Sequence, residues 1–287
     1  MRSLRCAGAA LELLPGLGGS VGRFSVDGFD MLRPTRIDAA SPLDTACFPL
    51  VPFANRAAHA RFDFDGETIR LRRNFGNHPH ALHGHGWQNA WRVETVQTDT
   101  ALLSYGHAAD DWPWNYRAEQ TFRLKPDSLE IDRRLENRSG RAMPASLGFH
   151  PFFHRTFGAI LQTEVEGVWL SDDTALPTTI APPAHFVDLA QGADMSRAPF
   201  VDHGHFGWTG RASICWRDRP IALSLTASAE LGFLHVFVPS DENYFCAEPV
   251  SAMPDALNGA MPTSGLRVLG SGESLTASLV MHGTRSW

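Results

Sequence analysis

The chain has 287 residues, 43% hydrophobic and 20% charged, with a net charge of −6 and a pI near 6.1. That length can bury a large core, and the mild acidity with no Lys/Arg block excludes nucleic acid and anionic membrane surfaces as partners. A small neutral ligand is expected, with residues 1–287 forming one domain that acts as a monomer or homodimer.

Residues 11–17 come nearest to a signal-peptide core, but Glu12 and Pro15 interrupt them. No later run approaches the ~18 apolar residues of a membrane span, so a soluble, cytoplasmic protein is expected. Cys6, Cys47, Cys215 and Cys246 are far apart and form no CxxC pair, which leaves free thiols as the default. Two Asp-Gly pairs then mark tight hairpins, because a two-residue loop needs positive φ: Asp27-Gly28 between 22–26 and 29–33, and Asp65-Gly66 between 61–64 and 67–71. Strands follow at 91–98, 101–105, 118–124, 129–135, 211–216, 221–228, 233–239 and 275–281. Several alternate with period two, as Leu129, Ile131, Arg133 and Leu135 do. With 25 Gly and 19 Pro and no sustained 3.6-residue period, long helices are not expected. The fold class is therefore all-β, with packed antiparallel sheets in a large sandwich. Residues 173–197, rich in Ala, Pro and Asp, read as a long surface loop bordering a binding site.

Composition also limits the chemistry. The only lysine, Lys125, lies in a turn-like Leu-Lys-Pro-Asp-Ser segment, which argues against Schiff-base, pyridoxal and P-loop enzymes. Neither Gly-rich stretch, 16–19 nor 84–86, has the strand, GxGxxG and helix context of a dinucleotide site. No nucleotide cofactor is implied.

Five polar sites interrupt the apolar pattern. His150 stands in Ser-Leu-Gly-Phe-His-Pro-Phe-Phe (146–153), where Pro151 favours an extended backbone and Gly148 permits close approach. A core histidine satisfied by backbone is the other reading of that segment. Asn55-Arg56 follows an apolar entry, and a guanidinium offers a fixed fork of donors to sugar oxygens or carboxylates. His78, His80, His83 and His85 invite a metal reading, yet no HExxH spacing or CxxC supports one, so hydrogen-bonding roles and no metal are expected. Asp202, followed by His203, His205 and Trp208, suits polyol recognition, and an Asx turn before a strand explains it nearly as well. Glu248 sits at the end of an apolar strand, where desolvation would raise its pKa and make it a better base.

Asn55-Arg56, Leu82-His83-Gly84, Gly148-Phe149-His150-Pro151, Asp202 before Phe206-Gly207-Trp208, and Cys246-Ala247-Glu248-Pro249 followed by Pro254-Asp255-Ala256-Leu257-Asn258, in this order, resemble the aldose 1-epimerase (galactose mutarotase) family over roughly 15–282. The resemblance implies a galactose mutarotase-like β supersandwich with an open cleft for a monosaccharide and no cofactor. It is nearer to the shorter bacterial branch, with His-Pro-Phe-Phe, than to the galactose-pathway branch. Carried over residue by residue, it implies Glu248 as general base and His150 as general acid, on opposite sides of the sugar. Arg56 and His83 would hold ring and exocyclic oxygens, Asp202 would accept from a hydroxyl, and Asn55 joins the substrate-binding set. Two alternatives remain: a mutarotase for a phosphorylated hexose, with Arg72 and Arg73 as rim cations, and a non-catalytic carbohydrate-binding protein.

Overall fold

The computed structural model describes residues 1–259 and 264–285. Among them, helix is limited to three short 3-10 turns, Pro42–Asp44, Ala58–Ala60 and Gly86–Gln88. The rest of the regular structure is strand, paired antiparallel throughout, as the all-β reading expects.

Two large sheets dominate. One runs, neighbour by neighbour, through Arg2–Cys6, Ala9–Leu14, Ser20–Val26, Cys47–Leu50, Gly148–His154, Tyr244–Val250, Phe233–Val238, Val201–Phe206, Gly167–Ser171 and Pro177–Ala181. The other runs through Arg92–Val96, Thr100–His107, Tyr116–Leu124, Ser128–Asn137, Ser274–Arg285, Ile221–Ala227, Arg211–Trp216, Ala159–Thr163 and Ala193–Asp194. In the second sheet one face is wet, and burial alternates residue by residue along Tyr116–Leu124 and Arg211–Trp216. Inward residues of both sheets, such as Leu11, Phe24, Phe122, Ile131, Leu225, Val236, Phe245 and Leu279, merge into one apolar cluster. Burial of this kind stabilises by about 25 cal/mol per Å² of apolar surface, the dominant favourable contribution to folding.

The first sheet is different because it is buried on both faces. Along Tyr244–Val250, Phe245 and Ala247 face the main core, while Cys246 and Val250 face a second, smaller cluster with Phe48, Leu50, Trp87 and Phe152. Alternation then places His150 and Glu248 with that second cluster, on the outer face of the sheet. The two sheets are tied by a buried cation. Arg133, on Ser128–Asn137, donates to the carbonyl of Gly148 on the facing sheet and to Gln120 Oε1 at 2.6 Å, and its guanidinium lies 4.0 Å above the Phe149 ring. Burial pulls its pKa down to about 9, which still leaves it charged near neutral pH.

The structure corrects several sequence-based boundaries. The second strand of the Asp27-Gly28 hairpin is only Phe29–Asp30. The 173–197 segment is not one loop, since it contains Pro177–Ala181 and Ala193–Asp194. Pro177 opens a strand at the free edge of its sheet, the place where a missing N–H is tolerated, so a proline-rich composition was a poor guide. Asp202 lies inside the strand Val201–Phe206 rather than in a turn before it, and Glu248 lies within its strand rather than at the end.

Candidate active site

Register alone assembles the centre of the site. His150 pairs with Phe48, Glu248 with His235, and His235 with Gly204. The pairings Gly148↔Val250 and Phe152↔Cys246 bring His150 level with Glu248. One row across five strands therefore reads Phe48, His150, Glu248, His235, Gly204, all pointing to the same face. Gly148 makes this close spacing possible, because a Cβ there would lie 2.7 Å from Val250 Cγ1 and 2.9 Å from Leu50 Cδ1.

His150 Nε2 lies 3.3 Å from Glu248 Oε1. The imidazole stacks between Phe48 and Phe152, with ring centroids at 4.3 and 4.7 Å, and His83 meets it edge-on at 5.4 Å. This desolvated setting pulls the His150 pKa down to about 3. Burial pushes the Glu248 carboxyl well above its ordinary value; the Asp202 charge acts in the same direction and the Arg56 charge opposes it. Glu248 Oε2 and His150 Nδ1 are buried with no hydrogen-bond partner among the described residues. The acid and base expected on opposite sides of a sugar are thus side by side, because consecutive strands carry them in one row.

A closed ring of hydrogen bonds flanks the pair. Asn55 Oδ1 accepts from the Arg56 backbone N–H at 2.9 Å and from Arg56 Nη1 at 3.1 Å, which fixes its amide orientation. Asn55 Nδ2 must then donate to His235 Nδ1, at 3.1 Å, and His235 Nε2–H to Asp202 Oδ1, at 2.7 Å. Arg56 Nη2 closes the ring on Asp202 Oδ2 at 2.7 Å. Burial raises the Asp202 pKa, but the His235 hydrogen bond and the Arg56 ion pair outweigh it and hold the carboxyl well below the usual carboxylate range. Asn55 and His83 both adopt left-handed φ, +60° and +59°, and they lock each other: Asn55 N–H donates to His83 Nδ1 at 3.1 Å and His83 N–H to the Asn55 carbonyl at 2.8 Å. Gly84 continues the turn at φ +68°, where a Cβ would lie 2.3 Å from the Val51 carbonyl oxygen. Asp255 supports the same loop by accepting from the Ala58 N–H at 2.8 Å.

All six residues expected at the site, Asn55, Arg56, His83, His150, Asp202 and Glu248, line one open cleft of about 500 Å³. A cavity of about 560 Å³ beside Phe233, Ser251 and Leu275 has, among the described residues, only Glu230 and Arg267 as charged lining and no comparable acid–base pair. The histidine cluster divides. His78 lines the cleft, His80 is fully buried and accepts the His59 N–H at 2.9 Å, and His85 turns to another pocket, 3.4 Å from Asp111. Arg72 and Arg73 line that other pocket, and Arg72 is paired with Asp110 and Asp111, so neither serves as a rim cation for the cleft. His83, His150 and Glu248 bring potential ligand atoms within 4.8 Å of one another. The Asn55 N–H on His83 Nδ1 nevertheless places the His83 proton on Nε2, the wrong tautomer for ligating a metal from that nitrogen.

Sequence reasoning missed His235. Its signal was an imidazole on the strand Phe233–Val238, out of phase with Leu234, Val236 and Val238, which face the core. Of the unassigned histidines, His205 is buried with Nδ1 3.3 Å from the Leu234 carbonyl, while His203 lines the cleft and stacks on Phe186 at 4.3 Å.

Residues 13–282 match the family model for aldose 1-epimerase. The chain belongs to the aldose 1-epimerase family. It is 32% identical over 277 residues, 92% of each chain, to the uncharacterized protein YphB of Escherichia coli K12. It is 30% identical over 228 residues, 71% of this chain and 64% of the other, to maltose epimerase of Levilactobacillus brevis. A crystal structure of an Escherichia coli K12 protein named as a candidate aldose 1-epimerase superposes with a TM-score of 0.91 at 28% identity, covering 99% and 98% of the two chains. A galactose mutarotase-like protein from Clostridium acetobutylicum superposes at 0.86 with 18% identity, covering 99% and 94%, a likeness of fold. The supersandwich is thus that of the family, and membership implies an isomerase or epimerase acting on carbohydrates.

Proposed function

We propose that the protein is a mutarotase that interconverts the α and β anomers of an aldose by general acid–base catalysis, with no metal or cofactor. The observation that carries this reading is the buried His150–Glu248 contact at 3.3 Å on the floor of an open cleft. Ring opening needs a proton taken from the anomeric hydroxyl and one given to the ring oxygen. With Glu248 as base and His150 as acid, the O1 proton moves to the carboxylate, the imidazolium proton moves to O5, the C1–O5 bond breaks and the C1–O1 double bond forms. Rotation about C1–C2 presents the other face of the aldehyde. Closure reverses each transfer, returning the first proton to O1 and the second to His150. The pair carries one proton throughout: it rests on the Glu248 carboxyl, the more basic group in this desolvated setting, and crosses the 3.3 Å contact to the imidazole before opening; two desolvated groups in contact are suited to share it.

The N–H of Arg56 Nη2 not spent on Asp202 and His83 Nε2–H are donors available to sugar oxygens. Asn55 is better read as a positioning residue, since both ends of its amide are spent on Arg56 and His235. A phosphorylated hexose is disfavoured as substrate, because Asp172 and Asp173 stand at the cleft and Arg72 and Arg73 do not. The main apolar cluster, which runs from Leu4 to Met281, supports one domain over 1–287, and four unpaired cysteines suit a reducing cytoplasm.

Polarimetry on a freshly dissolved anomer, with the spontaneous rate subtracted, tests the proposal. Glu248→Gln and His150→Asn should each lower kcat by ~10²–10⁴ with binding altered much less. Wild-type kcat in both variants, with folding verified by circular dichroism, would falsify the assignment.

A further inference from the structure

We propose that the cleft carries a second subsite, for a sugar ring glycosidically joined to the aldose held at His150 and Glu248, so that the favoured substrate is a reducing disaccharide. This rests on the mutarotase reading and extends it from the reacting ring to what is attached to that ring.

The cleft is longer than its catalytic floor. Phe237 lies opposite Asp202, one alternation step along the strands from the row that holds His235 and Glu248. Phe200 lies two residues before Asp202 on the same side and packs edge-on against Phe237 at 6.3 Å. At ~3.3 Å per residue the Asp202 level is about 7 Å from the catalytic row and the Phe200 level about 13 Å. A pyranose with C1 and O5 at the acid–base pair spans the first distance and falls short of the second, whereas two rings joined through a glycosidic oxygen reach it. Phe200 is 56% exposed, and Phe75, which also lines this cleft, is 38% exposed. Among the described residues few large apolar side chains are so exposed, and two of them bordering one polar cleft mark a surface meant to be covered. Aromatic faces cover the C–H side of a sugar ring. The polar half of such a subsite is present as well. Asp172 Oδ1 accepts from the Thr174 N–H and hydroxyl, both at 2.8 Å, and from the Leu176 N–H at 3.0 Å, which holds the 172–176 turn in place. Asp172 and Asp173 both line the cleft there. Carboxylates accept from the hydroxyls of a neutral sugar and repel anionic ones, so the second ring is an uncharged glycosyl residue.

The test compares D-glucose and D-galactose with maltose and lactose, measuring anomer exchange by proton NMR for the parent, Phe200→Ala, Phe75→Ala and the double variant. Both side chains are exposed, so folding is not at stake. The parent should show a higher kcat/KM for at least one disaccharide than for glucose or galactose. The double variant should lose about three- to tenfold on that disaccharide, the scale of lost aromatic contacts, while its rate on the monosaccharides stays within about twofold. Equal or faster turnover of the monosaccharides, or an equal loss on both classes, would overturn the subsite. Exchange of no sugar above the spontaneous rate would defeat the mutarotase reading instead. Calorimetric titration with maltose and glucose reads the subsite without turnover: tighter disaccharide binding that the double variant abolishes supports it, and equal binding of the two sugars refutes it.

Discussion

His150 and Glu248 are best understood as one titrating unit. Each group is desolvated, so the imidazole resists gaining a proton and the carboxyl resists losing one, and the pair keeps a single proton over a wide pH range. Below the lower macroscopic pKa a second proton arrives and the proposed base is lost; above the upper one the shared proton leaves and the proposed acid is lost. The lower step belongs with a histidine displaced to about 3 rather than with a free imidazole. kcat/KM for anomer exchange should therefore stay flat as the pH falls from 7 to 5, with no inflection near the ordinary histidine value of about 6.5. A pH profile with a midpoint there would show that His150 titrates as an exposed group and that the aromatic stack does not govern it.

Between elements, the ring of Arg56, Asn55, His235 and Asp202 joins the loop before Arg56 to the strands Val201–Phe206 and Phe233–Val238. Among the described residues His235 hydrogen-bonds to Asn55 and Asp202 and to neither member of the proposed acid–base pair, so its contribution is positional. Replacing it with Leu leaves Asn55 without an acceptor and Asp202 with one donor fewer, and hydrogen bonds to a charged group are worth about 1.5–3 kcal/mol. KM for the aldose should rise by about tenfold or more, while kcat changes little because the row of Glu248 and His150 is set by backbone register. His235→Gln, which can both donate and accept, should recover part of that loss. A fall in kcat with KM unchanged would instead place His235 in the proton transfers.

For the whole molecule, buried neutral histidines set the acid limit of stability. His83 is held well below the ordinary value, His205 at about 4 and His150 at about 3, in each case chiefly by burial. Below pH 6.5 the unfolded chain protonates these three and the folded chain does not, so stability falls as pH falls. Glu248 acts oppositely, because the folded state holds its proton above the pH at which the unfolded state has released it. The three histidines outnumber the one opposing carboxyl, so the melting temperature should fall as the pH drops from 6.5 to 5. Differential scanning calorimetry at fixed ionic strength measures it. A melting temperature independent of pH over that window would mean these histidines are open to solvent.

What the sequence determined by itself follows from periodicity and residue type. Tyr116–Leu124 and Arg211–Trp216 each have one wet face, so their alternation is written in the sequence and their boundaries are nearly legible. His150, Glu248, Arg56 and Asp202 stood out in the sequence too, because polar groups in apolar surroundings are conspicuous, and all four line one cleft. The sheet that carries the site was much less visible: Cys47–Leu50 and all but the last residue of Gly148–His154 are buried on both faces, which erases period two. Only the tertiary structure decided that His150 and Glu248 touch, since strand register, set by Gly148 against Val250 and Leu50, fixes which distant residues share a row. It also decided that His235 completes the ring with Asp202 and that Arg72 faces elsewhere. Those facts depend on contacts between segments far apart in the chain, and no local pattern encodes them.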